Sequence, residues 1–243
     1  MFHGILKSKL PPPEKNFTRL AQEAQAVIGA GTLTTSITLS ACLVYLLGSP
    51  SCLQKLKTEL AAAIPDPCIN PDIRTLEQLQ YLKACIQESL RLSYGGIGRL
   101  QRIARYETLA FNDGRKEWKI QPGTPCSMSG NLVHHSERIF PDSATFRPER
   151  WLENPRLDRF LMSFSKGSRQ CLGINLAYAE IFLMVGSLFR RYGSKECQMT
   201  GDDGVLELFE TGIKDAVRHD RLGGRKGQGE SKGVRIRVCH AKV

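Results

Sequence analysis

The chain has no CxxC pair, so the spacing of zinc ribbons is absent. Its eight cysteines (Cys42, Cys52, Cys68, Cys85, Cys126, Cys171, Cys197 and Cys239) are scattered along 243 residues. The opening MFHGILKSKLPPPEK contains no apolar run of the kind a secretory leader needs. Reduced thiols in a cytosol-facing protein follow from those two absences. No repeat of solenoid period occurs, which excludes stacked-repeat architectures. No nucleic-acid-binding motif accompanies the net charge of +10, and the basic residues are spread along the chain with some concentration at Arg218–Lys232. The charge is therefore read as a solvated basic surface, and no nucleic-acid partner is expected. Charge itself is missing from Ala24 to Gln54, a run long enough to cross a bilayer. Gly29, Gly31 and a series of Thr and Ser residues make that run polar for a lipid environment, so a long helix buried in a protein core is favoured.

With 41% hydrophobic and 24% charged residues, the composition is that of a globular protein with a sizeable core. Pro11–Pro13 mark an extended start, and a helical stretch opens at Glu14 and runs to Leu47, stopped by Gly48-Ser49-Pro50. A second helix is expected over Ser51–Ala63. A third should run from Thr75, where Thr75 and Gln78 fit a capping box, to Leu92. SYGGIG at 93–98 breaks it. Turn signals (Asn112-Asp113-Gly114, Pro122-Gly123) alternate with β-prone runs over 99–130, giving a small antiparallel sheet. Residues 131–170 read as a long loop, a feature usually tied to function. A further helix covers Leu172–Tyr192, then a hairpin near 205–213 and a last strand at Val234–Val238. The fold class is thus mainly α with a small antiparallel β part.

One segment stands out: Phe164-Ser165-Lys166-Gly167-Ser168-Arg169-Gln170-Cys171-Leu172-Gly173. A cysteine directly before a helix has the helix N-terminus aimed at its sulfur, which favours thiolate. Gly167 permits a positive φ in a tight turn. Upstream, Glu88 and Arg91 lie one turn apart on one helix face. Phe146-Arg147-Pro148-Glu149-Arg150-Trp151 follows later, and Ala30-Gly31-Thr32-Leu33-Thr34-Thr35 sits within the charge-free helix. There Thr34 can bond back to the carbonyl of residue 30 and bend the helix. His134-His135 cannot share a helix face, and no carboxylate spacing completes a metal triad, so both are read as structural.

Taken together, these motifs resemble the cytochrome P450 superfamily. All five defining positions of its haem-ligand signature (Phe, Gly, Arg, Cys, Gly) match at Phe164, Gly167, Arg169, Cys171 and Gly173. The resemblance implies that Cys171 is the axial thiolate of a haem b iron, P450s being the standing case of haem held by cysteine. It implies that Arg169 and Arg102 bind propionates, although Arg102 at a strand start equally fits a plain surface position. Phe164 would shield the sulfur, and Gly173 would allow close approach to the macrocycle. Glu88, Arg91 and Arg150 would form a buried network under the Cys loop. Gly31 would leave room for dioxygen and Thr34 would relay protons to it. Where the family carries an acid before that Thr, this chain has Leu33, which bears on oxygen activation and not on haem binding. Pocket-lining positions would include Ala26, Ala30, Thr34, Gly95–Arg99 and Leu208–Thr211.

The implied activity is insertion of one atom of dioxygen into an apolar organic substrate. The implied electron source is NADPH through NADPH–cytochrome P450 reductase, docking where Lys166 lies. An isomerase or peroxide-using enzyme is the rival suggested by Leu33. A fragment with residual haem binding, unable to turn over, is the other alternative. The stretch HHSERIFPDSATFRPERWLENPRLDRFLMSFSKGSRQCLGINLAYAE is most like fungal secondary-metabolite P450s of the trichodiene oxygenase kind. The resemblance runs from Pro11 onward and matches only the C-terminal half of a P450. Residues 1–243 are thus expected to be a partial P450 domain, with the N-terminal half and membrane anchor of the full-length family absent. By family, the setting would be the cytosolic side of the endoplasmic reticulum, or the cytoplasm for a chain without the anchor.

Overall fold

In the computed structural model, residues 2–93, 101–212, 215 and 233–240 are described. A short helix, α1 (Phe2–Lys7), and a 3-10 turn (Pro12–Lys15) lead into the longest element, α2 (Phe17–Leu47). Asn16 caps α2: its Oδ1 accepts the Arg19 N–H at 2.8 Å. Helix α3 (Pro50–Ala63) opens on proline, whose missing N–H costs nothing in a first turn, and ends just before Pro65.

The expected third helix is two helices, α4 (Ile73–Glu77) and α5 (Gln80–Leu92). Thr75 lies inside α4, so the Thr75–Gln78 capping box does not form. Instead Glu59 on α3 caps α5 from a distance. Its carboxylate accepts the N–H groups of Tyr81 and Leu82, each at 2.8 Å. A negative group at a helix N-terminus meets both the free donors and the dipole there.

The region expected to be one small sheet is two separate ladders. Strand β1 (Arg102–Ile103) pairs with β4 (Pro125–Cys126), and β2 (Leu109–Asn112) pairs with β3 (Glu117–Ile120), all antiparallel. The turn between β2 and β3 is built on Asp113, which accepts the N–H groups of Arg115 and Lys116. The long segment after it is more ordered than a loop. It contains α6 (Gly130–His134), α7 (Glu149–Glu153) and 3-10 turns at Pro155–Phe160 and Gly167–Arg169.

Helix α8 (Ile174–Arg191) follows, with Gly173 at its N-cap. Strands β5 (Tyr192–Gly193), β6 (Gly204–Leu208) and β7 (Ile236–His240) close the chain as one sheet. The hairpin expected near 205–213 does not form: β6 pairs with β7, Gly204 opposite His240 and Leu208 opposite Ile236. The final strand starts two residues later than expected.

The core lies where α2, α3, α4, α5 and α8 meet. Leu53, Leu56 and Leu60 recur at helical spacing on α3, as Ile181, Val185 and Phe189 do on α8, and all are buried. Each such side chain contributes about 1.5–3 kcal/mol when fully buried. At Gly186 the approach of α4 to α8 is too close for a side chain, since a Cβ there would sit 2.7 Å from Leu76 Cδ2. Helix α5 is the innermost element, with every residue from Tyr81 to Leu92 buried except Lys83.

The charge-free helix is a core helix only in part. Thr35, Thr38, Ala41, Cys42, Val44, Tyr45 and Leu46 are buried, but every residue from Gln25 to Thr34 is exposed. By length and composition α2 could cross a bilayer. Its C-terminal third is instead packed against α3, α5 and α8.

Candidate functional site

The segment around Cys171 folds into a closed loop. The Cys171 N–H donates to the Phe164 carbonyl at 2.9 Å, and the Gln170 N–H donates to Gly167 O at 3.0 Å. Gly167 has φ of 72°, the left-handed region that suits glycine, and Ser165 shares that region at 59°. Cys171 is exposed, and Leu172 beside it is 94% exposed. A Cβ built on Gly173 would meet nothing within 4 Å. Helix α8 does not start at Cys171; Leu172 and Gly173 separate the sulfur from its first residue. The expected direct alignment with the helix N-terminus is therefore offset, because glycine supplies the cap.

The loop is anchored on its inner side. The half-buried Phe164 ring packs on Tyr178 of α8 with centroids 5.1 Å apart, and Tyr178 meets Phe182 at 6.3 Å. Burial, and then Asp158, push the Tyr178 phenol up to about 12. Ser163 Oγ donates to Leu90 O on α5 at 2.8 Å. The Met162 N–H donates to His134 Nε2 at 2.9 Å. Behind the loop is a cavity of about 290 Å³, lined by Lys83, Gln87, Asp158, Phe164, Lys166 and Tyr178 among others.

Beneath it, Glu88, Arg91 and Arg150 come together, all buried. Arg91 grips Glu88 through two parallel bonds, Nε to Oε2 at 2.9 Å and Nη2 to Oε1 at 2.8 Å. Arg150 Nε donates to Glu88 Oε1 at 3.1 Å. The Arg147 N–H and Trp151 Nε1 complete the carboxylate's shell at 3.0 and 2.9 Å. The spare donors of Arg91 reach the carbonyls of His134 and Ser143, and Arg150 Nη1 reaches that of Pro141. Two arginines against one carboxylate would be unfavourable in a dry interior; this saturation is what makes burial tolerable.

The motifs assign no role to two of these participants, nor to a third buried group outside the network. Trp151 sits in the motif that carries Arg150, and a buried indole N–H needs an acceptor, which was the available signal. The acceptor role of His134 has no signature in sequence. Its imidazole is held down to about 4, first by burial and then by the Arg91 guanidinium. Neutral imidazole is what an acceptor for the Met162 N–H must be. Third is Lys57, whose contacts lie far off in the chain. It is buried on α3 and donates to Phe189 O, Tyr192 O and Asp202 Oδ1 at 3.0, 2.9 and 2.8 Å.

Stability should therefore fall on acidification. Between pH 6.5 and about 4 the unfolded chain protonates His134 and the folded chain does not. Folding loses on the order of 3 kcal/mol across that window and nothing more from this group below it. Melting temperatures from pH 7 to 4.5 should drop more steeply for the parent than for His134→Gln. Parallel slopes would count against the assignment.

Of the remaining candidates, Arg169 lies in the loop itself and the others stand apart from it. On α2, Thr34 Oγ1 donates to Ala30 O at 2.7 Å, and Thr38 Oγ1 donates to Thr34 O at 3.2 Å. A Cβ on Gly31 would meet nothing within 4 Å, and Leu33 is 51% exposed. Arg102 is exposed on β1 and donates to the neighbouring Gln101 O. Arg169 is exposed on its 3-10 turn. Among the described residues neither arginine has an acidic partner, and no hydrogen bond joins Arg102 or Ala30–Thr35 to the Cys171 loop. Leu208–Thr211 lie at and beyond the end of β6. Gly95–Arg99 lie outside the described residues.

The cytochrome P450 family model matches residues 6–213. The chain is 50% identical over 240 residues to cytochrome P450 monooxygenase tpcC of Cochliobolus heterostrophus, covering 98% of this chain and 46% of that protein. It is 50% identical over 246 residues to monooxygenase astB of Talaromyces wortmannii, covering 98% and 49%. Identity to fusicoccadiene C-8 hydroxylase of Phomopsis amygdali is 39% over 241 residues, covering 98% and 43%. The chain belongs to the cytochrome P450 family. It spans about half the length of the curated relatives it matches.

Membership implies a haem, and the residues suit one. An exposed cysteine in a closed loop, a bare Gly173, the exposed apolar Leu172 and Arg169, with no acidic partner among the described residues, are the side chains and the opening that fit an iron macrocycle with carboxylate arms.

Proposed function

We propose that this chain is the haem-bearing C-terminal portion of a fungal secondary-metabolite monooxygenase. The observation that supports it most is the Phe164–Cys171 loop, closed by its own backbone bond with the sulfur left accessible. In this reading Cys171 is the iron's axial thiolate, and Arg169 and Arg102 take the propionates. Phe164 shields the inner side of the sulfur, whose outer side is open, while its carbonyl holds the Cys171 N–H. When bound, haem b supplies reductive activation of dioxygen and insertion of one oxygen atom into a C–H bond. The substrate class is an apolar fungal secondary metabolite such as a terpenoid, in keeping with the relative named as a fusicoccadiene hydroxylase.

Helix α2 is the oxygen-side wall in this reading. Thr34, fixed by its bond to Ala30 O, holds a hydroxyl beside the space that Gly31 leaves free. Thr34 and Gly31 are the residues that handle protons and make room at the reacting centre. Electrons come from NADPH through NADPH–cytochrome P450 reductase, docking on the face behind the Cys loop where Lys166 is exposed. The location is the cytosolic side of the endoplasmic reticulum. Leu33 favours a second reading, an isomerase or peroxide-using enzyme, since no carboxyl stands at that position to feed protons. The exposed stretch of α2 favours a third, a form that binds haem without turnover.

The test is the carbon monoxide difference spectrum of the dithionite-reduced chain expressed with haem. A Soret band at the red-shifted thiolate position is expected, and Cys171→Ser should abolish it. A parent band at the unshifted position, or no haem uptake, would overturn the assignment of Cys171.

A further inference from the structure

We infer that His134 is a positioning residue for the iron-ligating loop, acting through the backbone N–H of Met162. The inference rests on the reading of Cys171 as the haem ligand. Three connections carry it. The His134 Nε2 accepts the Met162 N–H at 2.9 Å, two residues ahead of Phe164. Phe164 in turn holds the Cys171 N–H through its carbonyl. On its other side, His134 is tied by its own backbone carbonyl to Arg91 Nη1 at 2.8 Å, so the main chain that carries the imidazole is fixed to the Glu88 network. Its ring is wedged edge-on against Phe140 at 6.4 Å, and the residue is only 3% exposed.

This places His134 as the rigid link between the buried charges and the start of the loop. Ser163 Oγ, bonded to Leu90 O, and the Ser165 N–H, bonded to Met162 O, also hold the loop start, but the Met162 N–H itself is set by its acceptor, the His134 ring. An apolar residue at 134 would leave that N–H unpaired and let the loop start shift. The groups facing the imidazole are Arg91 and Glu88 from α5 and His135, which caps the C-terminus of α6. Arg91 opposes its protonation and Glu88 favours it. Burial and Arg91 prevail, which keeps the acceptor lone pair available at neutral pH. Protonation turns Nε2 into a donor facing a donor, and the link opens.

The test uses amide exchange followed by mass spectrometry on the full chain, with the carbon monoxide spectrum as second readout. His134→Leu should exchange the 162–171 segment about tenfold faster, with Gly204–Leu208 unchanged. Its haem-loaded form should move from the thiolate band to the unshifted one. His134→Gln, which keeps an acceptor, should retain both protection and band. Only the parent should lose protection of that segment on acidification toward pH 4. If His134→Leu does not fold, that contrast between the parent and His134→Gln decides. Unchanged exchange at 162–171, or uniform acceleration throughout, would overturn the proposal. A parent that shows the exchange pattern yet no thiolate band would overturn the Cys171 reading, and the proposal's catalytic meaning with it.

Discussion

Glu88→Gln should destabilise the chain by about 3–5 kcal/mol, a large share of the roughly 5–15 kcal/mol that holds a domain together. Glu88 is completely buried and receives donors from Arg91, Arg150, Arg147 and Trp151. A neutral amide cannot balance two guanidiniums, and its NH2 group would face one of them as a second donor. The charge on Arg91 and Arg150 would then stand uncompensated in the interior, with no solvent to screen it. Urea denaturation of the parent and variant gives the difference. A control comes from the exposed Arg147–Glu153 pair, 2.6 Å apart, where Glu153→Gln should be close to neutral. Equal effects at the two sites would refute the view that burial, and not pairing, sets the cost.

Lys57→Met should be nearly as damaging, by about 3–5 kcal/mol or a melting temperature roughly 10 °C lower. The methylene stem is replaced well enough, but the ammonium group satisfies three buried acceptors at once. Two are carbonyls at and just beyond the C-terminus of α8, Phe189 O and Tyr192 O, where a positive charge also meets the helix dipole. The third is the Asp202 carboxylate, 6% exposed. Most of the loss comes from stranding that carboxylate. Asp202→Asn added to Lys57→Met should therefore recover part of the stability, although alone it is destabilising. A double-mutant cycle measures this coupling. Additive losses would mean that the two groups act independently.

The local part of the fold was legible in the sequence. Helices α2, α3 and α8 follow from periodicity and from Pro50, Gly48 and the Cys loop as punctuation. The bond from Thr34 to Ala30 O was likewise readable, because it spans four residues of one helix. What could not be read was long-range. The capping of α5 by Glu59 crosses more than twenty residues, and it overrides the local Thr75–Gln78 signal. The partner of β6 lies beyond an intervening segment, so a hairpin was the simpler guess. Lys57 gave no signal because its acceptors, two backbone carbonyls and the Asp202 carboxylate, lie more than 130 positions away. In the candidate site, residue types came from motif and closure of the loop came from structure. The His134–Met162 link came from structure alone.

The same buried carboxylate imposes a schedule on synthesis. Glu88 and Arg91 are made together, but Arg150 and Trp151 follow 62 and 63 residues after Glu88. At about 5–20 residues per second, a nascent chain waits roughly 3–12 s for them. During that interval α5 cannot bury its charged end without leaving the carboxylate short of donors. The helix that becomes the centre of the molecule must stay open to solvent, or to a chaperone, until α7 emerges from the ribosome. Closure of the Cys171 loop is thus deferred until α7 has been made, after which the loop itself is completed within about twenty residues.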